Sequence, residues 1–348
     1  MTFNGQFGGK VRKQDLEKFE KSENWKNGKF ENLIETRMDI TLSKLPKLLK
    51  DNIKGKAARV PKEDLKILPF KASEFNPSDL EPKFIWYGHS VCLLQLNGKN
   101  LLIDPMLGPN ASPIAPFATK RFSKNSLDVI DHLPDIDAVL MTHDHYDHLD
   151  LDSIKKLKPK VKTWFVGLGI SRHLEKWEIP AEQITEFDWW DDLEFHDIKI
   201  TYTPSRHFSG RGAFDRAKSM WGGWVFNTPT CNLYWSGDGG YGPHFKDVGD
   251  KLGPFDFGFI ECGQYNENWH AIHMYPEESV KAAIDAQVKV ATPVHWAGFS
   301  LALHHWKEPV DRFCVEAQSL NLETSTPQIG EIVKMKNPPK REWWKNIK

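Results

Sequence analysis

Three imidazoles and the carboxylate of Asp147 stand within six residues of this chain, in the run His143-Asp144-His145-Tyr146-Asp147-His148. Burying such groups without partners is costly. Imidazole and carboxylate are also the ligands that borderline divalent metals take. The run leaves a short apolar strand, Ala138-Val139-Leu140-Met141, so its polar groups emerge together. His143 and His145, two apart, reach one ion, while Asp147 and His148 turn toward a second. The competing reading is a polar loop rich in histidine by accident, and the pattern H-x-H-x-D-H favours metal over it.

Three later residues extend the set. His207 follows the strand Ile200–Thr203, Asp238 follows Leu233-Tyr234-Trp235, and His295 follows Val290–Val294. Each is a metal-competent side chain just past an apolar run, which puts it on one rim of a sandwich, where loops on a rigid scaffold gather catalytic groups. Alone, a histidine after a strand is usually structural and an aspartate beside glycines is usually a turn residue. Beside H-x-H-x-D-H they become the ligands that the cluster still needs. His273, just before a helix, either orients substrate and protonates a leaving oxygen or caps that helix. His89 reads as a loop residue before it reads as a neighbour of the site. His304 and His305 read as packing. Asp188, beside Trp189-Trp190, is placed to hold a ligand imidazole in its tautomer. Arg206 and Arg211 flank His207 and could meet a phosphate, although surface arginines are commoner. No Ser-His-Asp arrangement, Gly-rich phosphate loop or zinc-ribbon spacing occurs.

The elements that must position these groups are short. Strands are expected at 84–87, 91–96, 100–103, 162–166, 199–203, 223–227, 232–235, 257–261 and 290–294, punctuated by Gly88 and the Asn97-Gly98 turn. Helices are expected at 151–157 after Asp150, at 170–177 after Gly169, and at 277–287 after Pro276. Hairpins, a crossover helix and further strands argue for an α+β sandwich with helices outside two sheets. Residues 1–83 form a polar, Lys-rich extension expected to pack on the core, 84–335 the catalytic domain, and 336–348 a tail with an aromatic anchor at Trp343-Trp344. Within the extension, Ile40, Leu42, Leu45, Leu48, Leu49 and Ile53 alternate with Lys44, Lys47, Lys50 and Lys54, and Pro46 stands where it could open a helix. This basic amphipathic stretch either packs on its own domain, the favoured reading, or makes weak peripheral contact with a membrane.

Composition sets outer limits. The 348 residues are 40% hydrophobic, with 14 Trp and 21 Phe, enough for a sizeable core. A formal net charge of -1 excludes bulk attraction to nucleic acid. Cys92, Cys231, Cys262 and Cys314 lie far apart and read as buried thiols in a reducing compartment. With neither a secretory signal nor a membrane-spanning apolar run, a soluble cytoplasmic protein is expected.

The ligand run with its later His, Asp and His resembles the metallo-β-lactamase superfamily. More narrowly, the chain is similar to the branch containing the N-acylphosphatidylethanolamine-hydrolysing phospholipase D. The likeness is carried by Lys120-Arg121-Phe122, 133–140, Asp188-Trp189-Trp190, Trp221-Gly222-Gly223-Trp224, 236–241, 253–256, 275–278 and 295–302. It implies an αββα sandwich with a dinuclear site at one edge. His143, His145 and His207 would hold one metal, Asp147, His148 and His295 the other, and Asp238 would bridge them. His273 matches a histidine that the family places near the metals, and His305 matches another family histidine. Where the resemblance implies an apolar N-terminal surface for membrane, this leader is Lys-rich and interrupted.

With no thiolate ligand, zinc suits the set best, and manganese or iron suit it too. Water on such an ion falls to a pKa of roughly 7, so a hydroxide shared by two metals can attack a phosphodiester. The expected function is a phosphodiesterase of the phospholipase D type, acting on N-acyl ethanolamine phospholipids or related phosphodiesters. The alternatives are a metallo-lactonase or esterase for a soluble, sugar-acid phosphate-like metabolite, and a non-enzymatic metal-binding module.

Overall fold

Apolar runs with no alternation dominate the strands because most strands are covered on both faces. The computed structural model describes residues 5–39, 43, 44, 46, 47, 50, 51, 58–76, 78–112, 119–212 and 214–348. The apolar positions of the amphipathic stretch, Ile40, Leu42, Leu45, Leu48, Leu49 and Ile53, lie outside them. A hairpin of β1 (Trp25–Lys26) and β2 (Lys29–Phe30) precedes two larger sheets. The first contains β3 (Lys83–Trp86), β4 (Cys92–Leu96), β5 (Lys99–Ile103), β6 (Ile136–Met141), β7 (Val161–Gly167) and β8 (Ile184–Phe187). The second contains β9 (Asp192–Glu194), β10 (Lys199–Pro204), β11 (Gly222–Asn227), β12 (Asn232–Trp235), β13 (Phe255–Glu261), β14 (Val288–Val294) and β15 (Glu323–Thr324). Finally β16 (Ile332–Lys334) returns to the first sheet beside β3, giving two sheets of seven strands, each mixed.

The expected α+β sandwich is the architecture found. Leu101, Ile103, Ala138 and Leu140 face inward onto Tyr202, Trp224, Leu233 and Phe257 of the other sheet. The alternate residues Leu102, Val139 and Met141 face outward onto Leu151, Ile154 and Leu174 of the covering helices. Helix Leu151–Leu157 starts where expected, and its N-cap Asp150 accepts the Ser153 amide at 2.9 Å. Helices Ser171–Lys176 and Pro276–Asp285 fall within two residues of the expected spans. Helices His244–Leu252 and Glu308–Ser319 were not foreseen. In the latter, Val310, Phe313 and Ala317 supply a buried stripe at helical spacing.

Strand direction decides where the site lies. In the first sheet β5, β6 and β7 are parallel, and β3 runs the same way through the antiparallel β4. In the second sheet β12, β13 and β14 are parallel, and β10 matches them through the antiparallel β11. Each sheet thus ends several strands at one edge. At the C-terminus, Trp344 is fully buried, meets Trp296 edge-on at 5.4 Å and donates from its indole to Asp311. No helix among the described residues is long and apolar enough to cross a membrane.

Candidate metal centre

The polar residues singled out above, together with some that were not, leave the strands at that common edge. His89 follows β3, Asp104 follows β5, His143 to His148 follow β6, His207 follows β10, and Asp238 follows β12. Glu261 is the last residue of β13, and His295 follows β14. The two sheets are laced together there, because the His89 amide donates to the Trp296 carbonyl and the His295 amide to the His89 carbonyl. His89, Asp104 and His295 all adopt left-handed backbone, with φ of 54°, 41° and 66°. Such strain costs on the order of 1–3 kcal/mol per residue and collects where function requires it.

Two nitrogen-rich groups result, with Asp238 between them. In the first, Nδ1 of His145 lies 2.9 Å from Nε2 of His143 and 3.1 Å from Nε2 of His207. In the second, Oδ2 of Asp147 lies 2.9 Å from Nε2 of His89, 3.3 Å from Nε2 of His295 and 3.5 Å from Nε2 of His148. Oδ2 of Asp238 is 3.1 Å from Nε2 of both His148 and His295, and 3.9 Å from Nε2 of His143. Thus all seven residues expected as ligands converge, and one carboxylate oxygen reaches into both groups. Most are sealed from solvent; His145, Asp147 and His273 are the more open members, the last two at 13% and 12% side-chain exposure.

The surroundings fix which ring nitrogen faces inward. Thr142 Oγ1 donates to Asp104 at 2.6 Å and so accepts from Nδ1 of His143 at 3.0 Å. Nδ1 of His148 donates to Asp104 at 2.8 Å, and Nδ1 of His207 to the Ile272 carbonyl at 3.0 Å. Glu261 takes Nδ1 of His273 at 3.1 Å and lies 3.3 Å from Nδ1 of His295. His143, His148, His207 and His273 are therefore held from behind through Nδ1, which turns Nε2 of His143, His148 and His207 to the centre, the usual arrangement behind a metal-bound histidine, whereas His145 presents Nδ1.

Charge tells the same story. Burial pushes the His143, His145 and His207 pKa values down, His145 to about 4, which leaves neutral imidazoles. Three such nitrogens cannot satisfy one another with ring protons at 2.9–3.1 Å, but a cation among them can. In the second group burial also opposes charge on His148, yet Asp238, Asp147 and Asp104 outweigh it and hold the pKa well above the ordinary value. His295 is raised to about 10 against burial, by Asp238 first, then Asp147 and Glu261. Burial raises the carboxyls of Asp147 and Asp238, but their histidine partners bring both well below the usual range. These carboxylates call for positive charge, and a divalent cation supplies it in place of ring protons. The residues fit bound metal.

Residues 99–296, more than half of the chain, match the family model described as a beta-lactamase superfamily domain. The chain belongs to the metallo-β-lactamase superfamily. An uncharacterised protein of Mycobacterium tuberculosis is 33% identical to it over 94% of this chain and 88% of its own. The N-acyl-phosphatidylethanolamine-hydrolyzing phospholipase D 1 of Caenorhabditis elegans is 32% identical over 71% of this chain and 74% of its own. Igni18, a metallo hydrolase of Ignicoccus hospitalis, shares the fold, with a TM-score of 0.56 at 19% identity over 72% of this chain and 97% of that one. This is therefore a chain of a metal-dependent hydrolase superfamily, with the sandwich that its members share.

Several expectations about individual residues of this superfamily chain need correction. Asp188 touches no imidazole; it accepts from Asn24 at 3.1 Å and from the Trp189 amide. The carboxylates that steady the ring nitrogens are Asp104 and Glu261. Neither was picked out, although each stands at a strand end, the same signal that marks His207, Asp238 and His295. His89 is no plain loop residue, being fully buried against Asp147 and His295. His273 does not cap the following helix, where Tyr275 and Glu278 form the N-terminal box. Arg211 is buried and donates to the carbonyls of Asp144, Leu149 and Gln6, and Arg206 to Tyr241 and Glu35, so neither is free for a phosphate. His304 and His305 pack as expected: His304 accepts the Gln264 amide and stacks on Tyr265, and His305 accepts the Lys307 amide. The indoles of Trp221, Trp224 and Trp296 all donate to backbone carbonyls.

Asn32 of the leader was also missed. Its side-chain amide pairs with the backbone of His207 in both directions, at 2.8 and 3.1 Å. Asp144, inside the motif, anchors its loop by accepting from Gly210 at 2.7 Å and from Ser219 and His173.

Proposed function

We propose that this centre hydrolyses phosphodiesters, as a phospholipase D-type phosphodiesterase acting on N-acylated ethanolamine phospholipids or smaller diesters. The observation that carries a two-metal reading is the Asp238 carboxylate, shared between two sets of imidazoles. The substrate class leans on the Caenorhabditis elegans relative, whose name gives that reaction. His143, His145 and His207 would hold one ion and Asp147, His148 and His295 the other, with Asp238 common to both. Zinc suits these ligands best, with manganese and iron next. A bound pair supplies Lewis acidity and lowers the pKa of water toward about 7.

The chain's own groups do the rest. The Asp104 and Glu261 carboxylates keep the ligand rings oriented, so little reorganisation accompanies reaction. His273, partly open to solvent and held through Nδ1 by Glu261, is placed to pass a proton to the departing alkoxide oxygen. In the overall step, water's oxygen forms a bond to phosphorus, the bond to the leaving oxygen breaks, and that oxygen takes up a proton.

The test is a panel of phosphodiesters, lactones and thioesters given to the metal-loaded protein, with Asp238→Asn as the blank. Phosphodiester turnover that falls by orders of magnitude in Asp238→Asn, with the fold retained, is expected. Turnover confined to lactones would replace this reading with the lactonase, and an Asp238→Asn variant as active as the parent would remove Asp238 from the site.

A further inference from the structure

The loop after His207 carries an arginine with nothing to hold. Among the described residues, every other arginine makes a hydrogen bond or an ion pair: Arg12 with Asp15, Arg37 with Glu35, Arg341 with Glu331, Arg312 with Glu277, and Arg206 and the buried ones with backbone carbonyls. Arg216 makes neither. Its sequence neighbour Asp215 is turned away and accepts the amides of Arg211 and Gly212. What Arg216 does have is an aromatic floor. Its guanidinium carbon sits 4.0 Å from the Phe208 ring centroid. The same Phe208 ring meets His145 edge-on at 4.5 Å and lies 5.0 Å from His207.

A planar cation is thus steadied on the ring that touches two imidazoles of the centre. Partial burial draws its pKa down, and no carboxylate opposes that. Arg216 is nonetheless exposed, so a ligand can reach its donors. Stacking fixes the plane while leaving the five N–H groups unused, and that fork matches two oxygens of a phosphate or carboxylate.

We propose that Arg216, held on Phe208, is the recognition group for the anionic oxygens of the substrate at the His145 side of the centre. The identity of the anion as a phosphodiester rests on the functional reading above; the anion-binding role itself does not. Such a group contributes to substrate binding more than to the chemical step, so its loss raises KM more than it lowers kcat. Lysine would restore the charge but not the fork.

The test uses the full-length, metal-loaded chain with dimethyl phosphate, a diester too unreactive to be consumed, as the calorimetric probe. Bis(4-nitrophenyl) phosphate serves for turnover, and elemental analysis follows the metals. Arg216→Ala is expected to weaken dimethyl phosphate binding about tenfold or more, the scale of a lost charged hydrogen bond. KM should rise in parallel and metal content stay unchanged, with Arg216→Lys between. Arg216→Gln, which keeps a stem over Phe208, covers the case in which the alanine variant fails to fold. Variants that bind dimethyl phosphate as the parent does, or a metal-loaded parent that does not bind it at all, would overturn the proposal. If the parent binds dimethyl phosphate through Arg216 yet hydrolyses no diester, the anion site stands and the phosphodiesterase reading falls.

Discussion

At Asp104 one carboxylate receives three donors: the Thr142 amide at 2.8 Å, the Thr142 hydroxyl at 2.6 Å and Nδ1 of His148 at 2.8 Å. It joins the end of β5 to the start of the His143–His148 run and sets the tautomer of His148. An amide in its place offers a single acceptor oxygen and a mismatched NH2 group. Asp104→Asn is therefore expected to lower metal affinity by about 10–100-fold, the usual cost of losing a group behind a metal-bound histidine. Metal retained after dialysis against graded chelator measures this, with Asp188→Asn as the companion variant that keeps parental affinity. Equal retention in the two would take Asp104 out of the centre. Nothing local in the sequence separates these two aspartates. The difference is that β5 lies next to β6 in the sheet, whereas Asp188 lies past β8 at the sheet's edge.

Loops from neighbouring strands touch backbone to backbone. A Cβ on Gly263, just past β13, would lie 2.0 Å from the carbonyl oxygen of His295. Glycine there lets β13 and β14 deliver Glu261 and His295 side by side. Gly263→Ala has to push the His295 loop outward, an overpacking change that costs about 1–3 kcal/mol. A lower melting temperature together with reduced metal content is expected, whereas Gly212→Ala, whose nearest neighbour is 3.5 Å away, should melt like the parent. An unchanged Gly263→Ala protein would mean that the loops have slack. Elements also differ in how well they announce themselves. β5 and β6 are plain apolar runs, but β9 and β15 are only three and two residues long, carry Asp192, Glu194 and Glu323, and exist because β10 and β14 offer them an edge.

Across the whole molecule, the centre is where the two sheets are tied together. Asp104 and His143–His148 come from the first sheet, and His207, Asp238, Glu261 and His295 from the second. Ions held between them would stabilise the sandwich by mass action, by about 2.7 kcal/mol at a free concentration a hundred times Kd. Protein purified without chelator is expected to carry about two transition-metal ions per chain, from two ligand sets with a common carboxylate. Chelation should lower the melting temperature, and zinc or manganese should restore it. A melting temperature indifferent to complete metal removal would show that the sheets need no cation to stay joined.

The sandwich and the group of residues gathered at its edge were both legible in the chain before it folds. Strands buried on both faces must read as unbroken apolar runs. A cluster such as His143, His145, Asp147 and His148 has few uses other than a cation, and His207, Asp238 and His295 betray themselves by standing at strand ends. Tertiary structure alone decided what stands behind them. Asp104, Glu261 and Asn32 become partners of His148, His273 and His207 only because parallel strands end at one level and the leader passes beside the loop after β10. It also decided which arginine is free. Arg206, Arg211 and Arg216 look alike in sequence, and only packing engages the first two with carbonyls and leaves the third stacked on Phe208. Spacing along a chain records which groups travel together; it does not record which distant carbonyl or carboxylate will meet them when two sheets close.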